Sequence, residues 1–192
     1  MTEDRAPSKP ELLEALRTSR QEVLRIVRAL PAERLEEGRY ENGWNGWQIL
    51  AHVASMEWTY PKLIDVARTA SATDAGSSSD RDPDGIPTRT MRGGNDAYNE
   101  RQVTKRGHLS LTELLAEFER NRAATIAAVE GADDALFARR IRSAFGVVGP
   151  LATVFHQIAV AHVLGHARDI AGREAAPAGS SLRSERARPA GG

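Results

Sequence analysis

Three of the five histidines in this 192-residue chain stand among apolar neighbours: His52, His162 and His166. At 3.6 residues per turn, four residues subtend about 400°, so on a helix His162 and His166 project within ~40° of each other, about 6 Å apart along the axis. Two imidazoles so placed can share one ion. The zinc-protease helix uses the same pair spacing, but it needs Glu directly after the first His, and that residue here is Val163. A third imidazole from a neighbouring helix would complete a facial set with open positions, which lets a cation polarise a substrate or activate water or a thiol. His52 is the candidate. The competing reading makes all three core histidines, bonded to backbone carbonyls or to one another. Against it, three neutral imidazoles in a region almost free of carboxylates leave several donors and acceptors to satisfy, and a cation satisfies three at once.

Other chemistry-bearing residues carry less. His156 falls about 120° around the helix from His162 and should face elsewhere as a structural residue, while His108 belongs to a turn that meets solvent. Asp169, three residues after His166, either hydrogen-bonds a ligating imidazole or is a solvated helix-end carboxylate, the second being the simpler expectation. Asp80-Arg81-Asp82-Pro83-Asp84-Gly85 reproduces the first half of a calcium loop. Its twelfth position is Met91, not a bidentate carboxylate, so a polar turn is expected there. Trp44, Trp47 and Trp58 bracket the His52 segment as packing anchors or pocket walls.

Composition narrows the classes. With 26 basic and 26 acidic residues the net charge is zero, so neither nucleic acid nor a membrane surface is an expected partner. The absence of cysteine excludes disulfides, zinc-thiolate sites, iron–sulfur clusters and a protein thiol nucleophile, leaving His, Asp and Glu to hold any metal. The charged start, Met1 to Arg5, has no apolar stretch behind it, and a cytoplasmic location is expected. Ser143 to Ala167 runs 25 residues without Asp, Glu, Lys or Arg. Gly149-Pro150, Gln157 and three histidines interrupt it, which favours a buried helix of a globular core over a membrane span.

Four amphipathic or apolar segments must position the histidines. Ser8-Lys9-Pro10-Glu11 has capping-box spacing and opens a helix through Leu12, Leu16, Val23 and Val27 that ends before Pro31. Asn45 and Gln48 repeat the cap ahead of a second helix, which should run to about Arg68 with a kink near Pro61. Ser71 to Gly94 lacks apolar periodicity and reads as a long surface crossover, a candidate gate over the bundle end. Asn95 can cap a short helix to about Arg106, and Ser110 with Glu113 forms a further capping box for a third long helix, Leu111 to Val129. Gly149-Pro150 starts a fourth, apolar on most sides, with Gly172 as its stop. The expected architecture is all-α: a four-helix bundle over residues 8–172, a flexible start at 1–7 and a disordered tail at 174–192.

Trp44-Asn45-Gly46-Trp47-Gln48-Ile49-Leu50-Ala51-His52 resembles the second-helix signature of the DinB/YfiT-like superfamily. Tyr98-Asn99-Glu100-Arg101 is similar to the segment before helix three in the related mycothiol-dependent maleylpyruvate isomerase N-terminal domains, and Ala161-His162-Val163-Leu164-Gly165-His166 resembles the paired-histidine motif. The resemblance spans about Pro10 to Ala171 and implies a four-helix bundle with a long crossover between helices two and three. It also implies a divalent metal, zinc or nickel first, on His52, His162 and His166. The isomerase branch often carries Glu where this chain has His162, which places the chain nearer the general DinB-like branch. Thiol S-transfer, isomerisation and hydrolysis are the implied activities, with mycothiol or bacillithiol as candidate thiols and a small molecule as substrate. Dimers are frequent in the family, so a homodimer is a candidate assembly.

The leading expectation is a metal-dependent, thiol-dependent transferase or isomerase acting on a small electrophile, because a chain without cysteine must borrow its thiol. A metal-assisted hydrolase is the first rival. A non-catalytic bundle that binds a ligand is the second.

Overall fold

The computed structural model describes residues 5–37, 43–69, 84–88 and 93–172. In chain order these form α1 (Lys9–Arg28), α2 (Ala32–Glu36), α3 (Gly46–Glu57), α4 (Lys62–Thr69), α5 (Gly94–Lys105) and α6 (Leu111–Gly131). A 3-10 turn (Asp134–Ala138), a hairpin of β1 (Arg140–Arg142) and β2 (Val148–Pro150), then α7 (Leu151–Phe155) and α8 (His162–Ala171) follow. A π-helical segment, His156–Ala161, joins α7 to α8.

All three expected capping boxes form. Ser8 with Glu11, Asn45 with Gln48, and Ser110 with Glu113 each satisfy two amides at a helix start. The bundle is α1, α3, α6 and the α7–π–α8 rod, with α1 and α3 each packed against both α6 and α8. Leu12, Leu16 and Val27 of α1 meet Ile49, Leu50 and Met56 of α3, Leu114 and Phe118 of α6, and Val163 and Ile170 of α8 in one core. α3 is buried nearly all round, since α5 covers a further side of it. Among the described residues, no helix is long and apolar enough to cross a membrane.

Three boundaries differ from expectation. The second helix stops at Glu57 rather than kinking: Thr59 and Tyr60 amides turn back to Met56 and Glu57, Pro61 supplies no amide, and the chain restarts as α4. Asn95 lies inside α5, not at its cap. The cap is Gly93, at φ 81°, a left-handed backbone that favours glycine. Asn95 instead donates its side-chain amide to the Ala144 carbonyl at 2.9 Å and ties α5 to the hairpin. Gly149-Pro150 closes β2, and the helix begins at Leu151; Gly172, at φ 78°, ends it as expected. Of the proposed crossover, residues 84–88 run beside β1, where Arg142 donates its amide to Pro87 and pairs with Asp84. The rest of that segment up to Arg92, the tail at 174–192 and the first four residues lie outside the described residues.

Candidate metal centre

His52 lies in the second turn of α3, flanked by the buried residues Leu50, Ala51, Val53 and Ala54, and is itself only 3% exposed. His162 and His166 occupy the first two turns of α8, one above the other as their spacing requires. Their Nε2 atoms are 2.9 Å apart. The His52 ring centre is 5.9 Å from that of His162 and 5.1 Å from that of His166, both edge-on. One ring nitrogen from each of the three lies within 4.8 Å of the other two. The expected triad therefore converges.

The rod's irregularity helps place the pair. A π turn spoils the i to i+4 bonding pattern and leaves carbonyls for other donors. Here the Ile158 carbonyl accepts from the Tyr60 hydroxyl at 2.9 Å and from His162, and the Ala159 carbonyl accepts from Arg122 Nη2 at 2.7 Å. Arg122 is fully buried: its guanidinium also grips the equally buried Glu57 at the end of α3, and it reaches Ser19 and the Leu16 carbonyl of α1. One cation thus ties α1, α3, α6 and the π segment together. Burial raises the Glu57 carboxyl above its usual range, against the pull of Arg122.

Burial controls the electrostatics of the triad. Desolvation first, then repulsion from His166 and His162, takes His52 from 6.5 down to about 3. Desolvation and His162 take His166 to about 4, with Asp169 opposing. Desolvation also lowers His162, and its bond to the Ile158 carbonyl opposes that shift. The imidazoles are therefore neutral at neutral pH, the form that offers lone pairs to a cation. His52 Nδ1 is buried with no hydrogen-bond partner. That orphan is what a metal would satisfy, while the Ile158 carbonyl and Asp169 orient the other two rings. Asp169 is not the solvated carboxylate expected: it is 9% exposed, with Oδ2 3.7 Å from His166 Nδ1. His108 and His156 face solvent, apart from the triad.

The histidines floor an open cleft of about 420 Å³ whose walls include Trp44 and Phe145. The Trp44 ring centre lies 5.4 Å from that of His52, and its indole N–H donates to Glu100 Oε1 at 2.9 Å. Asp96, Asn99 and Glu100 of α5 complete the wall. Trp44 thus serves as a pocket wall, one of the two roles expected of the tryptophans. The sequence does not mark Asp96, Asn99 and Glu100 as site residues, because which face of a polar helix meets the site depends on tertiary docking. Glu57 did carry a signal, as the one charged residue between Ile49 and Tyr60.

The DinB superfamily model matches residues 15–170. The chain belongs to the DinB superfamily. Solved structures that share its fold include two different proteins. One is a mycothiol-dependent maleylpyruvate isomerase, at a TM-score of 0.62 and 18% identity over 85% of this chain. The present chain spans 61% of that isomerase's length. The other is YfiT from Bacillus subtilis, described as a probable metal-dependent hydrolase with an unusual four-helix bundle topology. It aligns at a TM-score of 0.60 and 14% identity over 84% of this chain and 83% of its own. No curated protein sequence matches this member of the superfamily.

Proposed function

We propose that this DinB-superfamily chain is a divalent-metal-dependent enzyme that activates a low-molecular-weight thiol and delivers it to a small electrophile, as a transferase or isomerase. The observation that carries the reading is the convergence of three uncharged imidazoles, one with an orphaned buried nitrogen, on the floor of an open cleft. His52, His162 and His166 would hold the ion, zinc or nickel in the first instance. When bound, it would supply the positive charge that lowers the pKa of a thiol or water in the cleft. The chain supplies the rest. Asp169 and the Ile158 carbonyl fix the rings of His166 and His162, Trp44 and Phe145 shield one side of the cleft from water, and Glu100, steadied by the indole, offers a carboxylate at the rim. The thiol must come from outside, as mycothiol, bacillithiol or a similar molecule, because the chain contains no cysteine.

The test is turnover of a chromogenic aryl halide by zinc- or nickel-loaded protein, with and without added thiol. Product formation that requires both metal and thiol supports the reading. Hydrolytic turnover of ester or amide substrates without thiol, at the same site, would replace it with the metal-assisted hydrolase, and loss of neither activity on removing metal would exclude both.

A further inference from the structure

We infer that the cleft selects ligands that carry an ammonium group a few ångströms from the atom offered to the metal, so that small aminothiols are preferred to thiols bearing a carboxylate. The inference rests on the proposed metal centre and deepens it.

The cleft has two chemically opposite sides. Its floor is the triad, with one ring nitrogen of each histidine within 4.8 Å of the other two, suited to a cation that would attract a soft anionic donor. The α5 wall presents two carboxylates, Asp96 and Glu100, beside the Asn99 amide. Asn99 Oδ1 is buried and has no donor, a deficit of the same kind as His52 Nδ1. Glu100 is held in place through Oε1 by the Trp44 indole, whose ring lies beside His52, so this carboxylate is anchored to the same floor. Among the described residues that line the cleft there is no Arg or Lys.

A primary ammonium brings three donors, no acceptor and a positive charge, which complements the two carboxylates of the wall. A ligand carboxylate brings acceptors only and faces two carboxylates of like charge. The two sides are separated across one small cleft, so both are met by a ligand with a soft donor at one end and a cation at the other. A space of about 420 Å³ is ample for such a molecule with a further substituent.

The experiment uses the full chain loaded with cobalt(II) and follows the thiolate-to-cobalt absorption band during titration. Cysteamine, 2-mercaptoethanol and 3-mercaptopropionate are compared at equal thiolate concentration. The expected order of affinity is cysteamine, then 2-mercaptoethanol, then 3-mercaptopropionate, with about tenfold between the first and last, as partly exposed charges contribute roughly threefold each. The paired change Asp96→Asn and Glu100→Gln, which keeps shape and cobalt uptake, should shrink that spread below about threefold. Equal affinities, a preference for 3-mercaptopropionate, or a spread that survives the paired change would overturn the inference while leaving the metal centre standing. Failure to take up cobalt at all would overturn both, and the absent cobalt spectrum separates that result from the others.

Discussion

Lowering the pH from 7.5 to 5.0 should destabilise the metal-free protein through its buried histidines. Unfolded, these imidazoles titrate near 6.5; folded, His52 titrates at about 3 and His166 at about 4. At pH 5.0 the unfolded chain has therefore taken up protons that the folded protein refuses, and proton binding pulls the equilibrium toward unfolding. Each pH unit below 6.5 costs about 1.4 kcal/mol per histidine, so 1.5 units cost about 2 kcal/mol for each. Because the two rings share one neighbourhood, the joint loss lies between about 2 and 4 kcal/mol. The stability is fully present above 6.5, declines as the pH falls, and levels off only once the folded values are passed. Urea unfolding in EDTA at half-unit pH steps measures it, with the paired variant His52→Leu and His166→Leu as reference. A wild-type curve that stays flat between pH 7.5 and 5.0, or a variant with the same slope, would refute the reasoning.

Replacing a proposed ligand by His162→Ala should lower the melting temperature mainly in metal-loaded protein, because an ion at a hundred times its Kd adds about 2.7 kcal/mol to the native state; equal losses with and without metal would point to packing alone. Glu57→Gln, which leaves the Arg122 guanidinium without its buried counter-charge, should cost about 3–5 kcal/mol by chemical denaturation. The paired apolar change Glu57→Leu and Arg122→Met should recover much of that. Tyr60→Phe removes one donor from the Ile158 carbonyl that also holds His162 and should cost about 1 kcal/mol, with metal affinity falling roughly tenfold in a competition titration.

The parts of this molecule legible in its sequence are those set by local rules. Capping boxes at Ser8, Asn45 and Ser110 marked three helix starts because cap and amide lie within four residues of each other. The His162 and His166 pair was legible for the same reason, as one helical turn brings both to one face. His52 was reached by elimination among apolar-site histidines and by family resemblance. What stayed hidden depends on contacts between distant segments. The π segment has no local signature: it exists because Tyr60 and Arg122, from other elements, take up its carbonyls. Asp169 looked like an exposed carboxylate because its spacing alone does not show that the end of α8 is covered. The acceptor wall of α5 is likewise a product of docking against α3.

If His52, His162 and His166 act as proposed, together they hold one divalent ion. Elemental analysis of protein purified without chelator or nickel resin, in parallel with the variant His52→Leu and His166→Leu, tests it most directly. The wild type should carry close to one divalent ion per chain and the variant almost none, with both proteins folded by circular dichroism. Equal metal content in the two, or a wild type that retains no ion and binds neither zinc nor nickel at micromolar concentration, would contradict it.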